Sequence, residues 1–547
     1  LKIHTDKEGT LKMIKTLNGD QAMAHGALSS GVSLVTGYPG SPSSGTLEAL
    51  IGLAEGSGLF VEWTSNERVA LEMGIGASMA GRRALVCTKS VGLNVMVDPL
   101  MALNLTPVHG GLVILLGDDP GGYGSQNDQD SRPLATLLEM PLMEPSSPAE
   151  GYAMMREAFR ASERYNTAVI VRETRSYTRQ MEPVSFSDKR YEETDLGLSR
   201  EPWRYVPVPL NAVEKHRGLH ERWDALRGWA DRTLFNQVSG RGEKGIITAG
   251  FTHRKLLDIT GESAPGGFRL LKLGNLLPLP EKAVEAFLQG CDEVLILEEN
   301  EPFVETRIKA LAFDLGFPGK IFGKQSGHVS REGELYRWQI QRALDGFIPG
   351  HVPETEYLEE NGHAEKPQKE NHCAGCRYDT VLDALEEAAG DLDQKPVLVG
   401  DPGCLVTVAD RLDAKFAIGS AVGVADGLSK AGIRERAVAL FGDSAFFHTA
   451  LPAVCSAVHL RSDILMVVLD NKATATSGFQ SNPGVGRDAS GREAPALDIA
   501  GIARACGVGN VITCGLEDPE APLTARFKAA LSCRELTLMV IRIDSRR

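Results

Sequence analysis

Short, unbroken apolar runs recur along the chain and stop at glycine- or aspartate-rich turns. Val32-Ser33-Leu34-Val35-Thr36 runs into Gly37-Tyr38-Pro39-Gly40, and Gly111-Leu112-Val113-Ile114-Leu115-Leu116 runs into Gly117-Asp118-Asp119. Similar runs are Gly245-Ile246-Ile247-Thr248-Ala249-Gly250, Glu293-Val294-Leu295-Ile296-Leu297-Glu298, Ala437-Val438-Ala439-Leu440-Phe441 and Ile464-Leu465-Met466-Val467-Val468-Leu469. Runs this short and this apolar predict strands buried on both faces, as in parallel sheets covered by helices. Ligands of such sheets bind at the carboxyl ends of the strands, so the glycine-rich strand ends are where chemistry is expected.

The pattern divides the chain. Residues 1–185 alternate strand and helix. Residues 186–240 are more polar, carry three of the five tryptophans, and read as a helical connector. A second α/β unit spans 241–348. Residues 349–371 are polar, charged and poor in bulky apolar groups, a composition that cannot form a core and predicts a linker. Residues 372–547 alternate again. A length of 547 residues exceeds what one core usually supports, so the expectation is a multidomain α/β protein.

Composition removes several classes of partner. The net charge is −14 with no basic run, which argues against nucleic acid. No uncharged apolar run reaches spanning length, so no membrane association is expected. The polar start, Leu1-Lys2-Ile3-His4-Thr5-Asp6, lacks the form of a secretory signal. Nine cysteines in a long chain without such a signal argue for reduced thiols and a cytoplasmic location.

The strongest chemical pattern is Gly442-Asp443-Ser444 at one strand end and Asp470-Asn471 at the next. A carboxylate, an amide oxygen and a backbone carbonyl in the following loop, that of Ala473, make half of an octahedron; diphosphate oxygens and water would complete it around Mg²⁺. The pattern resembles the GD…N motif of thiamine-diphosphate enzymes. Taken alone, it is equally a pair of ordinary strand-end turns. In that superfamily a carboxyl shielded from water activates the aminopyrimidine ring. Glu67 is the candidate, at the start of Asn66-Glu67-Arg68-Val69-Ala70-Leu71-Glu72-Met73-Gly74, where the stretch resembles the NE segment of pyrimidine-binding domains. Glu62 and Glu72 are its rivals.

Longer stretches carry a closer resemblance. Gly37-Tyr38-Pro39-Gly40-Ser41-Pro42-Ser43-Ser44 is similar to the YPGTPSS loop of 2-oxoacid:ferredoxin oxidoreductases. Val91-Gly92-Leu93-Asn94-Val95-Met96-Val97-Asp98-Pro99-Leu100, Ser125-Gln126-Asn127-Asp128-Gln129-Asp130-Ser131-Arg132, Glu298-Glu299-Asn300-Glu301-Pro302-Phe303, Cys373-Ala374-Gly375-Cys376 and Asp470-Asn471-Lys472-Ala473-Thr474 resemble, in order, the large subunit of indolepyruvate:ferredoxin oxidoreductase. The resemblance implies pyrimidine-binding (1–185), transketolase-C-like (241–348) and diphosphate/Mg-binding (372–547) domains. It implies oxidative decarboxylation of an arylpyruvate to an acyl-CoA, with thiamine diphosphate, Mg²⁺ and CoA as co-substrate. It also implies a smaller beta-type subunit. Thiamine sites commonly lie between two chains, so a dimer of this chain is expected.

Residue by residue, the resemblance gives Glu67 the activating role, and Asp443, Asn471 and the Ala473 carbonyl the metal. Gly442, Ser444 and Thr474 would line the diphosphate. Gly403, Gly419 and Ser420 match loops near the cofactor. Tyr38, Pro39, Gly40 and Ser41 would border the thiazolium and substrate. His448 reads equally as a proton donor or substrate contact, or as a helix histidine bonded to backbone.

The sequence departs from the family in three places. No cysteine-rich ferredoxin-like domain precedes its end at Ser545-Arg546-Arg547, so electrons are expected to leave through a separate carrier. Ser90 stands where the family often has His, and Ser41 where it has Thr. Two readings stand for Cys373, Cys376, Cys404 and Cys506: ligands of one [4Fe–4S] cluster, or thiols kept for packing. The alternative activity is a non-redox thiamine-dependent decarboxylase, carboligase or lyase.

Overall fold

The computed structural model describes residues 2–5, 11–187, 197–198, 200–261, 267–349 and 376–543. Contacts divide the chain into two compact units: Leu1–Val61 with Glu67–Gln368, and Glu62–Asn66 with Lys369–Arg547. The stretch read as a linker, from 350 on, lies outside the described residues, as does Cys373.

The main sheet of the first unit holds, in spatial order, Asn275–Leu277, Leu142–Met143, Val169–Thr174, Leu112–Asp118, Ala84–Lys89 and Leu34–Gly37. All but the first of these pair in parallel. Every residue of Leu112–Asp118 and Val169–Thr174 is buried, as the unbroken apolar runs predict. Helix Pro148–Tyr165 covers one face. Ser147 caps it by accepting from the Glu150 amide, proline occupies its first turn, and Asn166 ends it in the left-handed region at φ 50°. Gly26 of helix Gly19–Ser29 lets the two helices touch, since a Cβ there would stand 2.7 Å from the Tyr152 carbonyl.

A second sheet of this unit runs Gln237–Gly240, Phe268–Leu273, Lys244–Ala249, Glu293–Leu297, Lys320–Phe322. It is parallel except where Gln237–Gly240 joins. The connector is helical over Ala212–Ala230, whereas its ends are antiparallel edges: Glu182–Ser187 on Leu11–Leu17, and Gln237–Gly240 on Phe268–Leu273. One core joins the two sheets, with Leu138 and Met140 packed in the same cluster as Leu273, Leu276 and Phe303. Each such side chain, fully buried, stabilises the fold by about 1.5–3 kcal/mol.

The second unit carries one parallel sheet in the order Ala414–Lys415, Val397–Gly400, Ala437–Gly442, Leu465–Asp470, Thr537–Arg542, Asn510–Gly515. Alternate residues feed two cores. Leu440, Val467, Leu469 and Met539 face one side, while Ala439, Phe441, Met466 and Val468 face the other. The doubly covered parallel sheets expected from the apolar runs are therefore present in both units.

Candidate functional site

In the second unit, strands Ala437–Gly442 and Leu465–Asp470 are parallel neighbours with Gly442 opposite Leu469. That register sets Asp443 beside Asp470 and brings Asn471 just past the same edge. Asp443, Asn471 and Ala473 are all buried. Asp443 Oδ2 accepts from Asn482 Nδ2 at 2.9 Å, and Asn471 Oδ1 accepts from the Ala473 amide at 3.2 Å. The Ser444 and Thr474 hydroxyls lie 3.1 Å apart. Burial pushes the Asp443 carboxyl up to about 7; the Asn482 hydrogen bond opposes this and the Asp470 charge adds to it. A carboxylate that is buried, with a second carboxylate beside it, fits a cation of hard, oxygen-seeking character.

Asp401 follows strand Val397–Gly400 and is fully buried. Its two oxygens accept from the Gly419 amide at 2.6 Å and the Ala421 amide at 2.8 Å. This fixes the N-terminus of helix Ala421–Lys430, where Ser420 Oγ is buried without a hydrogen-bond partner. Gly419 has φ 79°, and a Cβ there would meet Thr449 Oγ1 at 2.0 Å, so the turn admits only glycine. A glycine turn, an orphaned hydroxyl and a helix N-terminus make a fitting cradle for a phosphate. Gly403, at φ 112°, begins the next turn.

His448 sits in a π-helical turn, Phe446–Ala450, and is 3% exposed. Its Nδ1 lies 3.2 Å from Thr449 Oγ1, and its carbonyl accepts from Asn66 Nδ2 at 2.9 Å, Asn66 being one of the residues grouped with this unit.

In the first unit, Glu67 opens helix Glu67–Met79 and is 4% exposed. Gly92, on helix Ser90–Leu103, leaves it room: a Cβ at Gly92 would stand 2.5 Å from both Glu67 Oε1 and Thr88 Oγ1. Of the rivals, Glu72 is half-exposed and paired with Arg68 at 2.8 Å, and Glu62 accepts from the Trp63 and Ala489 amides. The loop from Tyr38 to Ser44 is closed by Gly40 N donating to Ser44 Oγ at 2.8 Å. Tyr38, Pro39 and Gly40 are buried there and Ser41 is exposed. Gly40 packs on Lys89, whose ammonium donates to the Gly124 carbonyl at 2.9 Å. Burial pulls that ammonium below the ordinary lysine range, against the opposing charges of Asp119 and Glu67. Tyr38–Ser44, Ser90 and Asp119 follow adjacent parallel strand ends, Lys89 is the last residue of its strand, and Gly92 against Glu67 and Gly40 against Lys89 bring these segments together.

The cysteines separate. Cys404 Sγ is 3.2 Å from Thr476 Oγ1, and Cys376 and Cys404 pack against the same core. Cys506 ends helix Ile499–Ala505, which packs on the opposite core, and its Sγ is 3.6 Å from that of Cys455. The four-cysteine set read from the sequence is corrected on this point: the sheet stands between Cys506 and the other two, whereas a cluster needs its thiolates around one centre. Spacing along the chain does not report which face of a sheet a helix covers. Sequence reasoning also missed Asn482 and Gly92. Asn482 lies in a polar loop without a pattern, and Gly92 is one of many small helix residues.

Residues 25–206 match the family model described as pyruvate flavodoxin/ferredoxin oxidoreductase, thiamine diP-binding. Residues 414–541 match the C-terminal TPP binding domain of thiamine pyrophosphate enzymes. The chain is 34% identical over 502 residues to indolepyruvate oxidoreductase subunit IorA of Methanothermobacter thermautotrophicus, covering 90% of this chain and 80% of that one. It is 33% identical over 555 residues to the subunit of the same name from Pyrococcus abyssi, covering 96% and 85%. Similarity to 2-oxoglutarate synthase subunit KorA of Archaeoglobus fulgidus is 27% over 321 residues, 52% of this chain and 88% of that one.

Proposed function

This chain belongs to the indolepyruvate oxidoreductase subunit IorA family, and from that premise we propose how its residues divide the work. It is a thiamine-diphosphate-dependent enzyme subunit for the oxidative decarboxylation of a 2-oxoacid, with electrons passing to a separate carrier. The non-redox lyase reading is not favoured. We assign indolepyruvate, or a similar arylpyruvate, as substrate and CoA as acyl acceptor. The balance is then 2-oxoacid anion plus CoA thiol giving acyl-CoA, CO₂, one proton and two electrons.

Thiamine diphosphate supplies, when bound, the carbon that attacks the 2-oxo carbonyl and the sink for the electrons left behind by CO₂. Asp443 and Asn471 would hold Mg²⁺ with the Ala473 carbonyl, and Gly442, Ser444 and Thr474 would face the diphosphate. The Gly403 turn, the Gly419 turn and Ser420 at its helix N-terminus would complete that cradle. Glu67, shielded from water, would hold a proton at the aminopyrimidine ring. Tyr38, Pro39, Gly40 and Ser41 would border the reacting carbon. His448, buried and held through its backbone, would orient substrate.

The observation that carries this division is the placement of one carboxylate and one amide, Asp443 and Asn471, buried at adjacent strand tips. A smaller partner subunit, a pair of these chains and a cytoplasmic setting belong to the same reading. No helix among the described residues is long and apolar enough to cross a membrane.

The test is turnover of indolepyruvate by this chain with its partner subunit, followed as CO₂ release coupled to reduction of an external acceptor. Loss of turnover in Glu67→Gln, with thiamine diphosphate still bound, supports the assignment; unchanged turnover removes Glu67 from it. Visible absorption of the purified protein reports whether Cys376 and Cys404 take part in a cluster.

A further inference from the structure

Helix Ala212–Ala230 places His216 and His220 four residues apart, and therefore on one face. Their ring centroids are 4.4 Å apart. Both Nε2 atoms point at a single carboxylate, that of Glu139: His216 Nε2 is 3.1 Å from Oε2 and His220 Nε2 is 3.5 Å from Oε1. All three side chains keep access to water. We propose that Glu139, His216 and His220 form a binding site for a divalent transition-metal cation of the Zn²⁺ type, apart from the thiamine chemistry.

The separations fit the chemistry. Ligands bonded at about 2.0–2.2 Å to a tetrahedral ion sit roughly 3.3 Å from one another; one ligand atom from each of the three residues already lies within 4.8 Å of the other two, so side-chain rotation alone would close the set. Two imidazoles and one carboxylate, with water in the fourth place, suit Zn²⁺, whereas Mg²⁺ prefers oxygen ligands throughout.

The scaffold is already formed on both sides. Glu139 follows helix Arg132–Leu137 and adopts φ 49°, a left-handed turn held between Leu138 and Met140, both fully buried. The histidine helix is anchored through buried Leu219, Leu226 and Trp229, and Arg222 Nη2 donates to the Asn104 carbonyl at 2.7 Å. The carboxylate and the imidazoles therefore meet without rearrangement of either backbone. The ion would staple the connector helix to the turn before strand Leu142–Met143, within one compact unit.

The test uses the full chain saturated with thiamine diphosphate and Mg²⁺, titrated with ZnCl₂ by calorimetry. The double variant His216→Asn/His220→Asn is run beside it, so that zinc held by cysteines cancels. Both histidines are half-exposed, so the variant is expected to fold; circular dichroism checks this, and Glu139→Gln serves as an independent variant. The parent should take up one more Zn²⁺ per chain than the double variant, and its thermal midpoint should rise with Zn²⁺ but not with further Mg²⁺. Glu139→Gln should weaken that extra binding about tenfold or more. Co²⁺ in place of Zn²⁺ should give visible absorption in the parent that the double variant lacks. Equal zinc uptake by parent and double variant overturns the proposal, as does a parent whose stability Zn²⁺ leaves unmoved.

Discussion

Arg132 Nη1 lies 2.8 Å from Glu298 Oε2, and neither side chain is exposed to solvent. The pair joins the Ser125–Arg132 stretch to the Glu298–Phe303 stretch, two segments that in sequence only resemble motifs. Around it Arg132 also bonds Asp130 and the Glu301 carbonyl, and Asn300 Nδ2 donates to Asp128 Oδ1 at 2.8 Å. Removing Glu298 would leave buried Arg132 with Asp130 as its one remaining carboxylate partner and would orphan the Val304 and Glu305 amides that donate to Glu298. Glu298→Ala is expected to destabilise the first unit by about 3–5 kcal/mol, read as a lowered unfolding midpoint. Unchanged stability would show that water replaces the carboxylate.

Gly92→Ala tests Glu67 without touching its chemistry. The added methyl would stand 2.5 Å from the carboxylate oxygen, so Glu67 must shift. Turnover should fall about a hundredfold, in line with the loss of a positioned proton-transfer group, while thiamine diphosphate still binds. Full activity in this variant would mean that the carboxyl has no fixed position to lose.

Asp443→Ala and Asn471→Ala should fold but lose the cofactor. Each removes one oxygen donor at a strand tip, so Mg²⁺-dependent binding of thiamine diphosphate should weaken strongly. Equilibrium dialysis of the purified variants checks this. Retention at parental affinity would move the metal site elsewhere.

Asp401 gives a pH dependence of definite sign. Burial raises its carboxyl from 3.8 to about 7, against the backbone amides of Ala421 and Gly419. The native chain then holds a proton that the unfolded chain has released, so this contribution is complete below the unfolded pKa and fades as pH rises through the folded one. Its upper bound is about 4 kcal/mol. Thermal midpoints should therefore decline between about pH 4 and 7 in the parent, and the decline should be shallower in Asp401→Asn. Parallel profiles would contradict the shift.

The parts of the candidate site that were legible in the sequence are those set by backbone pattern. That Asp443 and Asn471 share one sheet edge could be read because each follows an unbroken apolar strand, and parallel neighbours put their ends side by side. Glu67 could be ranked above Glu72 only by motif; the structure adds that Glu72 is half-exposed and bound to Arg68, whereas Glu67 is covered. What depended on long-range packing was not legible. Asn482 reaches Asp443 across a loop, and Cys506 falls on the far face of a sheet. Glu139 meets His216 and His220 although nothing local in the sequence links them. The single compact unit that holds both early sheets likewise rests on a core and buried ion pairs between distant segments.

A π turn is an α-helix carrying one residue too many for its pitch. The turn Phe446–Ala450 lies between the strand tip that ends at Gly442 and helix Leu451–His459. Deleting a single residue there would let the segment rewind as ordinary helix, leaving the sheet whole while swinging His448 round the axis. Chain length in this short stretch thus sets the direction of the His448 side chain as much as its neighbours do.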